Sequence, residues 1–79
     1  SVFPNPLISQ GEIKFEILDD CLISIDIVNN LGMRESLLNE ELSKGYHSLK
    51  FSINKNPGIY HLVIEKCNNS FSIPLTVIK

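Results

Sequence analysis

The sequence predicts an all-β fold from two observations. Its 79 residues include 11 Ile, 10 Leu and 4 Val, but neither Ala nor Trp. Because β-branched side chains lose rotamer freedom in a helix and Ala is the best helix former, this composition favours strands. Apolar and polar residues also alternate over most of the chain, as they do in strands that bury one face.

The first half of the chain predicts three strands. Residues 12–18 and 23–27 alternate strictly and are separated by a short acidic turn, so we expect them to pair as a hairpin. Residues 33–38 alternate less regularly and form the third predicted strand. Residues 39–45 would suit a helical turn, but they are more typical of a loop closed by a glycine.

The second half predicts three more strands. Residues 46–52 alternate again, before the sharp break at residues 54–58. Residues 59–65 are apolar on both faces, which is typical of a central strand covered on both sides. Residues 71–77 form the last strand, whose predicted inward stripe is Phe71, Ile73, Leu75 and Val77. Pro74 places one side of this strand on a sheet edge because proline cannot donate to a ladder.

Six to seven short alternating strands joined by turns predict two antiparallel sheets packed face to face, which is a small antiparallel β-sandwich. We expect one domain over residues 1–79, with an extended lead-in at 1–11 and the sandwich at 12–79. The predicted core consists of Ile13, Phe15, Ile17, Ile23, Ile25, Ile27, Leu49, Phe51, Tyr60, Leu62 and Ile64.

Composition also excludes several functions. A net charge of −2 without a basic patch argues against nucleic acid as a partner, and no apolar run approaches the roughly 18 residues of a membrane span. So small a sandwich has little interior for a catalytic cleft, and no segment is typical of an activated nucleophile. A metal at His47 and His61 would need further donors. We therefore predict no catalytic residue, no metal and no cofactor.

Two cysteines lie just before the second predicted strand and just after the fifth, at Cys21 and Cys67. If successive strands alternate in direction, both cysteines lie at the same end of the sandwich. A disulfide is then allowed but not required, because cysteine also packs as a small hydrophobic residue. The sequence leaves both forms open.

Three motifs follow one another at a fairly specific spacing. Pro4-Asn5-Pro6 comes first, then a Leu-x-x-Gly-x-x-x-x-x-Phe segment at residues 42–51, and then Pro57-Gly58-Ile59-Tyr60 ahead of a last strand ending in Lys79. Each motif also has a structural reason, since proline stiffens the chain, glycine permits turns and a tyrosine fills a core. Over essentially all 79 residues, this order resembles the type A C-terminal sorting domain of the type IX (Por) secretion system of Bacteroidota.

The resemblance implies an Ig-like sandwich that follows a cargo protein joined upstream of Ser1, on a chain ending at Lys79. It implies export through the periplasm to the cell surface or medium, recognition by the outer-membrane translocon and removal by a sortase-like peptidase. An oxidising periplasm would permit the disulfide. The residues that the motifs mark for recognition are Pro4, Asn5, Pro6, Gly45, Gly58, Ile59, Tyr60, Val77, Ile78 and Lys79.

A second interpretation is an Ig-like accessory module that binds a glycan or a protein. It resembles the sandwich domains of flagellar hook-cap proteins, which share the Pro-Asn-Pro opening and the Gly-Ile-Tyr strand. A glycan site usually offers exposed aromatic rings, and Tyr46 is the only aromatic residue that we predict near the surface.

Overall fold

The computed structural model describes residues 2–3, 10–52 and 56–78, and every regular element within them is a strand. None of the described residues belongs to a helix that could cross a membrane. The seven strands are β1 (Val2–Phe3), β2 (Gln10–Ile17), β3 (Cys21–Val28), β4 (Arg34–Leu42), β5 (Gly45–Ser52), β6 (Gly58–Lys66) and β7 (Asn69–Val77).

The strands form two antiparallel sheets. Sheet A has the order β1-β2-β5 and sheet B has the order β4-β3-β6-β7. This arrangement confirms the predicted all-β antiparallel sandwich. Within the predicted lead-in, Val2–Phe3 pairs with β2, and β2 itself begins at Gln10.

The core lies between the sheets and consists of isoleucine and leucine with a few larger residues. Its buried members are Ile13, Ile17, Ile23, Ile25, Ile27, Phe51, Tyr60, Leu62, Ile64, Leu75 and Val77. Nine of the eleven predicted core residues are therefore confirmed. Phe15 and Leu49 are only half-buried and pack against the cluster from its margin.

The predicted hairpin of the first two long strands is wrong. β2 pairs with β1 and β5, whereas β3 pairs with β4 and β6 in the other sheet. The turn at residues 18–20 therefore carries the chain from one sheet to the other. Either connection places both isoleucine stripes in the core, so alternation alone does not distinguish them.

The predicted loop at residues 39–45 is also wrong, because β4 continues to Leu42 and leaves only Ser43 and Lys44 as a turn. A β-bulge explains the weak pattern of β4. Its register with β3 shifts between the partners of Ile25 and Asp26, so that Leu37 is the additional residue. A bulge interrupts the period of two on which strand recognition depends.

β6 lies inside sheet B as predicted, but only one of its faces is covered. Tyr60 on the inner face is buried, whereas Ile59 on the outer face is 63% exposed. β7 is the last strand of sheet B, which confirms the edge position expected from Pro74. The predicted inward stripe of β7 is wrong at Phe71, which lies near the start of this outer strand and is 45% exposed.

Strand directions define two ends of the sandwich. The cysteine end contains residues 18–20, 43–44 and 67–68, which connect strands. The C-terminal end contains residues 29–33, residues 56–57 and Ile78. Both cysteines lie at the cysteine end.

Candidate functional site

Five of the predicted recognition residues come together at the C-terminal end. They are Gly58, Ile59 and Tyr60 at the start of β6, with Val77 and Ile78 at the end of β7. The antiparallel register sets Gly58 opposite Val77. Two motifs separated in the sequence thus form one continuous surface region.

Alternation divides these five residues by role. The side chains of Tyr60 and Val77 are buried and belong to the core. Those of Ile59 and Ile78 point to the opposite face of sheet B, where they are 63% and 41% exposed. Because Ile59 pairs with Thr76, Ile78 is its diagonal neighbour on that face. We call Ile59 and Ile78 the isoleucine pair.

Tyr60 also fixes the backbone that precedes β6. Its hydroxyl donates a 2.6 Å hydrogen bond to the carbonyl oxygen of Asn56, while its ring is only 8% exposed. This contact connects the two sides of the Pro57-Gly58 bend. Tyr60 is therefore a residue that positions the exposed Ile59 from inside the core.

Gly45 lies at the opposite end of the sandwich. It is the first residue of β5, pairs with Ile17 and has a φ of +131°, a conformation that side chains with a Cβ rarely adopt. The backbone conformation therefore accounts for a glycine at position 45 without any role in recognition. The predicted recognition residues Pro4, Asn5, Pro6 and Lys79 lie outside the described residues.

The cysteine end is held by contacts between residues distant in the sequence. Cys21 and Cys67 form a disulfide across the neighbouring strands β3 and β6, with their Cα atoms 5.3 Å apart. The Asp20 carboxylate accepts a 2.7 Å hydrogen bond from the backbone N–H of Lys44. These contacts fasten the connections at this end to one another.

Lys66 joins the two sheets at the same end. Its Nζ donates a 2.7 Å hydrogen bond to the carbonyl oxygen of Glu16, which lies on β2 of sheet A. The same Nζ lies 5.2 Å from the centre of the Phe71 ring, which is within range of a cation–π contact. Lys66 thus combines an inter-sheet hydrogen bond with partial cover for an exposed aromatic ring.

The cysteine end is also strongly acidic. With the adjoining strand ends included, over residues 16–22, 40–46 and 65–70, the formal charge is −4, from two lysines, Lys44 and Lys66, and the carboxylates of Glu16, Asp19, Asp20, Glu40, Glu41 and Glu65. The whole chain carries only −2. The negative charge is therefore concentrated away from the isoleucine pair.

The two histidines do not converge. His47 stacks on Phe15 with ring centres 5.8 Å apart, and its Nε2 donates a 2.6 Å hydrogen bond to the carbonyl oxygen of Ser43. His61 is exposed on β6 of the other sheet. Across residues 10–52 and 56–78, no group of three or more His, Cys, Asp or Glu side chains is placed to hold a metal ion.

Two shallow cavities lie at the ends of the sandwich. The larger, about 380 Å³, is at the C-terminal end and is lined by Ile27, Asn29, Met33, Arg34, Glu35, Asn56 and Tyr60. Arg34 faces Asp26 at 3.7 Å, so its charge already has a partner. The smaller, about 270 Å³, is at the cysteine end beside Asp20 and Glu41.

Sequence reasoning missed two residues of these ends. Asn56 accepts the Tyr60 hydroxyl only four residues along the chain, and its place before the Pro-Gly bend was a usable signal. Lys66 contacts a carbonyl 50 residues away, which no local pattern shows.

The exposed aromatic residues Tyr46 and Phe71 lie on different sheets, so they do not form one stacking platform.

Comparison with known proteins supplies the identity of the domain. No curated protein and no solved structure matches the chain. Residues 1–78, however, match the profile of the family described as the secretion system C-terminal sorting domain. Because the match covers nearly the whole sequence, this chain belongs to that family, the sorting domains of type IX secretion.

Proposed function

We propose that this chain is a type A sorting domain from a member of the Bacteroidota. In this proposal it directs an upstream cargo through the outer-membrane translocon of type IX secretion and is then removed by a sortase-like peptidase. Family membership supports the sorting role and the destination outside the cell. The domain acts as a passive substrate of both machines and performs no chemistry itself.

The observation that carries this proposal is the convergence at the C-terminal end. A translocon that reads a folded domain must contact side chains that the fold leaves exposed. Among the described recognition residues, the isoleucine pair offers the exposed apolar area, while Tyr60 and Val77 are buried. We therefore assign contact with the translocon to Ile59 and Ile78, and their placement to Tyr60 and Val77.

A secretion assay tests the sorting step. The domain is fused behind a reporter that carries its own signal peptide and is expressed in Bacteroidota cells with and without a working translocon. We expect the reporter at the surface or in the medium only when the translocon works. A reporter that stays in the periplasm of translocon-positive cells, with the domain intact, would refute the proposal.

Two variants test the assignment of the isoleucine pair. The double variant Ile59→Ser/Ile78→Ser removes exposed apolar area at the C-terminal end without opening a cavity, so we expect export to fall at least tenfold. Leu22→Ser is the matched control, because Leu22 is 55% exposed on β3 of the same sheet but near the cysteine end. Equal export of both variants would remove the isoleucine pair from the recognition surface.

Mass spectrometry of the exported reporter tests the removal step. We expect its mass to lack the sorting domain in wild-type cells and to include it in cells whose sortase-like peptidase has lost its nucleophile. A reporter that keeps the domain in both strains would show that export occurs without the proposed cleavage.

A further inference from the structure

The disulfide encloses most of the sandwich in one covalent loop. Cys21 begins β3 and Cys67 follows β6, so the 46-residue separation contains four of the seven strands. These strands include the two neighbours at the centre of sheet B, β3 and β6. Closing the bridge therefore constrains the part of the chain that contributes most of the buried residues.

The two sulfur-bearing residues differ in their surroundings. Cys21 is half-buried and packs against the core, whereas Cys67 is exposed in the turn between β6 and β7. Cys67 also has a φ of +58°, a left-handed conformation that favours glycine or asparagine. An unbonded cysteine gains nothing at such a position, so the bridge itself explains why cysteine stands there.

We propose that Cys67 is the point at which thiol–disulfide exchange reaches this domain, and that closure of the bridge converts a weakly folded reduced form into a stable oxidised form. The exchange partner is a disulfide donor of the thiol oxidoreductase class. Cys67 fits this role because it is the more exposed of the two cysteines, in a turn, whereas Cys21 packs against the core.

The reaction consists of two exchanges. The Cys67 thiolate attacks one sulfur of the donor disulfide, which forms a mixed disulfide and releases the donor's other sulfur as a thiolate. The Cys21 thiolate then attacks the Cys67 sulfur and releases the donor's second thiolate. In total, the two cysteines lose two protons and two electrons, and the donor disulfide is reduced to a dithiol.

Loop closure determines how much the disulfide changes the folding equilibrium. Constraining an unfolded chain over a loop of this length changes the folding equilibrium by a factor on the order of 10³ in the chain-entropy model. That factor is large for a small domain, whose total stability is modest. Given the proposed function, the reducing cytoplasm keeps the domain loosely folded, and the oxidising periplasm then makes its recognition surface permanent before the translocon reads it.

The site of exchange is tested on the oxidised 79-residue chain, which avoids variants that fail to fold. Reduced glutathione is added together with a fast alkylating agent, and the products are mapped by peptide mass spectrometry. We expect glutathione mainly on Cys67 and the alkyl group mainly on Cys21, with the preference lost in 8 M urea. Equal labelling in native buffer, or glutathione mainly on Cys21, would overturn the assignment.

The switch is tested by urea unfolding of the oxidised and reduced chains. We expect reduction to lower the folding equilibrium constant by a factor on the order of 10³. A Cys21→Ser/Cys67→Ser variant is the control, since its unfolding should not respond to reductant. A change smaller than tenfold in the wild-type chain would overturn the switch.

Export of the reporter separates this inference from the proposed function. We expect a membrane-permeant thiol reductant to lower export of the wild-type fusion at least fivefold, while export of the double-serine fusion stays at one low level with or without reductant. Wild-type export that ignores reductant would overturn the switch and leave the sorting function standing. A wild-type fusion that is never exported would refute the sorting function, while the two measurements on the purified chain would still decide the exchange site and the switch.

Discussion

The two ends of the sandwich are stabilised in different ways. At the cysteine end, a disulfide and the contacts of Asp20 and Lys66 connect residues that are 24 to 50 positions apart. At the C-terminal end, three side-chain hydrogen bonds span only two to four residues: the Tyr60 hydroxyl donates to the Asn56 carbonyl, and the Asn29 side chain accepts the backbone N–H groups of Leu31 and Met33. These statements refer to the contacts among the described residues.

Under the proposed function, this difference separates stability from recognition. The disulfide and the long-range hydrogen bonds of Asp20 and Lys66 lie at the end that carries most of the negative charge, whereas the exposed isoleucine pair depends on the apolar core and on local turns. Changes at the cysteine end should therefore alter the unfolding of the whole domain. Polar changes at the C-terminal end should mainly alter the surface that a partner contacts. Four substitutions test this division.

The largest loss of stability is expected for a core residue close to the C-terminal end. Phe51, next to the last residue of β5, is 8% exposed, so Phe51→Ala should lower the free energy of unfolding by about 3–5 kcal/mol. Ile59→Ala is the control and should cost under about 0.5 kcal/mol because Ile59 is exposed. Both values come from urea unfolding. A Phe51→Ala variant that melts like the wild type would show that the core does not support this end.

A smaller effect is expected for the inter-sheet contact of the cysteine end. Lys66→Met keeps much of the apolar stem but removes the hydrogen bond to the Glu16 carbonyl and the cation beside Phe71. We expect a loss of about 1 kcal/mol, since Lys66 is only half-buried and solvent weakens the contact. Lys50→Met, on the exposed face of β5, is the control. Equal stability of the two variants would contradict the bridging role of Lys66.

Tyr60→Phe should lower stability by a similar or slightly smaller amount, and it should loosen the nearby backbone. The ring stays in the core while the bond to the Asn56 carbonyl is lost, so we expect a cost of about 0.5–1 kcal/mol. Amide hydrogen exchange should rise near residues 56–59 and stay unchanged near residues 43–45. Exchange that rises equally at both ends would mean that the two ends are not independent.

The smallest effect concerns charge. Glu41→Lys replaces one of the carboxylates crowded at the cysteine end, and Asp20 lines the same cavity. We expect a gain of up to about 0.5 kcal/mol at low ionic strength that disappears at 1 M salt. Glu12→Lys, outside this cluster, is the comparison and should instead lose stability, because Glu12 accepts a hydrogen bond from Ser48 and lies opposite Lys50. A Glu41→Lys variant without a salt-dependent gain would show that repulsion at this end is already screened.

Residue alternation predicted the strands and most of the core but not their partners. Ile13 and Ile23 are buried as expected, because alternation records which face of a strand meets the core. The sheet to which each strand belongs depends on the short turn at residues 18–20. This turn could lead back along the same sheet or cross to the other one, and the alternation of residues fits both paths. The full length of β4 was not predicted because the bulge at Leu37 interrupts the alternation of apolar and polar residues.

The candidate site was partly predictable. The Gly58-Ile59-Tyr60 motif and the end of the last strand were recognised separately, but their proximity follows from the register of β6 and β7. Sequence also did not distinguish the exposed Ile59 from the buried Tyr60 by function, because both belong to one motif. The fold shows that the Ile59 side chain is exposed, whereas the Tyr60 side chain is buried.

The bulge in β4 has a consequence for copies of the domain that meet one another. A straight outer strand offers regularly spaced backbone groups on which a neighbouring chain can add its own strand. In β4 the extra residue Leu37 disturbs that spacing, and Arg34, Glu40 and Glu41 place charges along the same strand. The irregular strand thus protects this edge of sheet B against edge-to-edge aggregation.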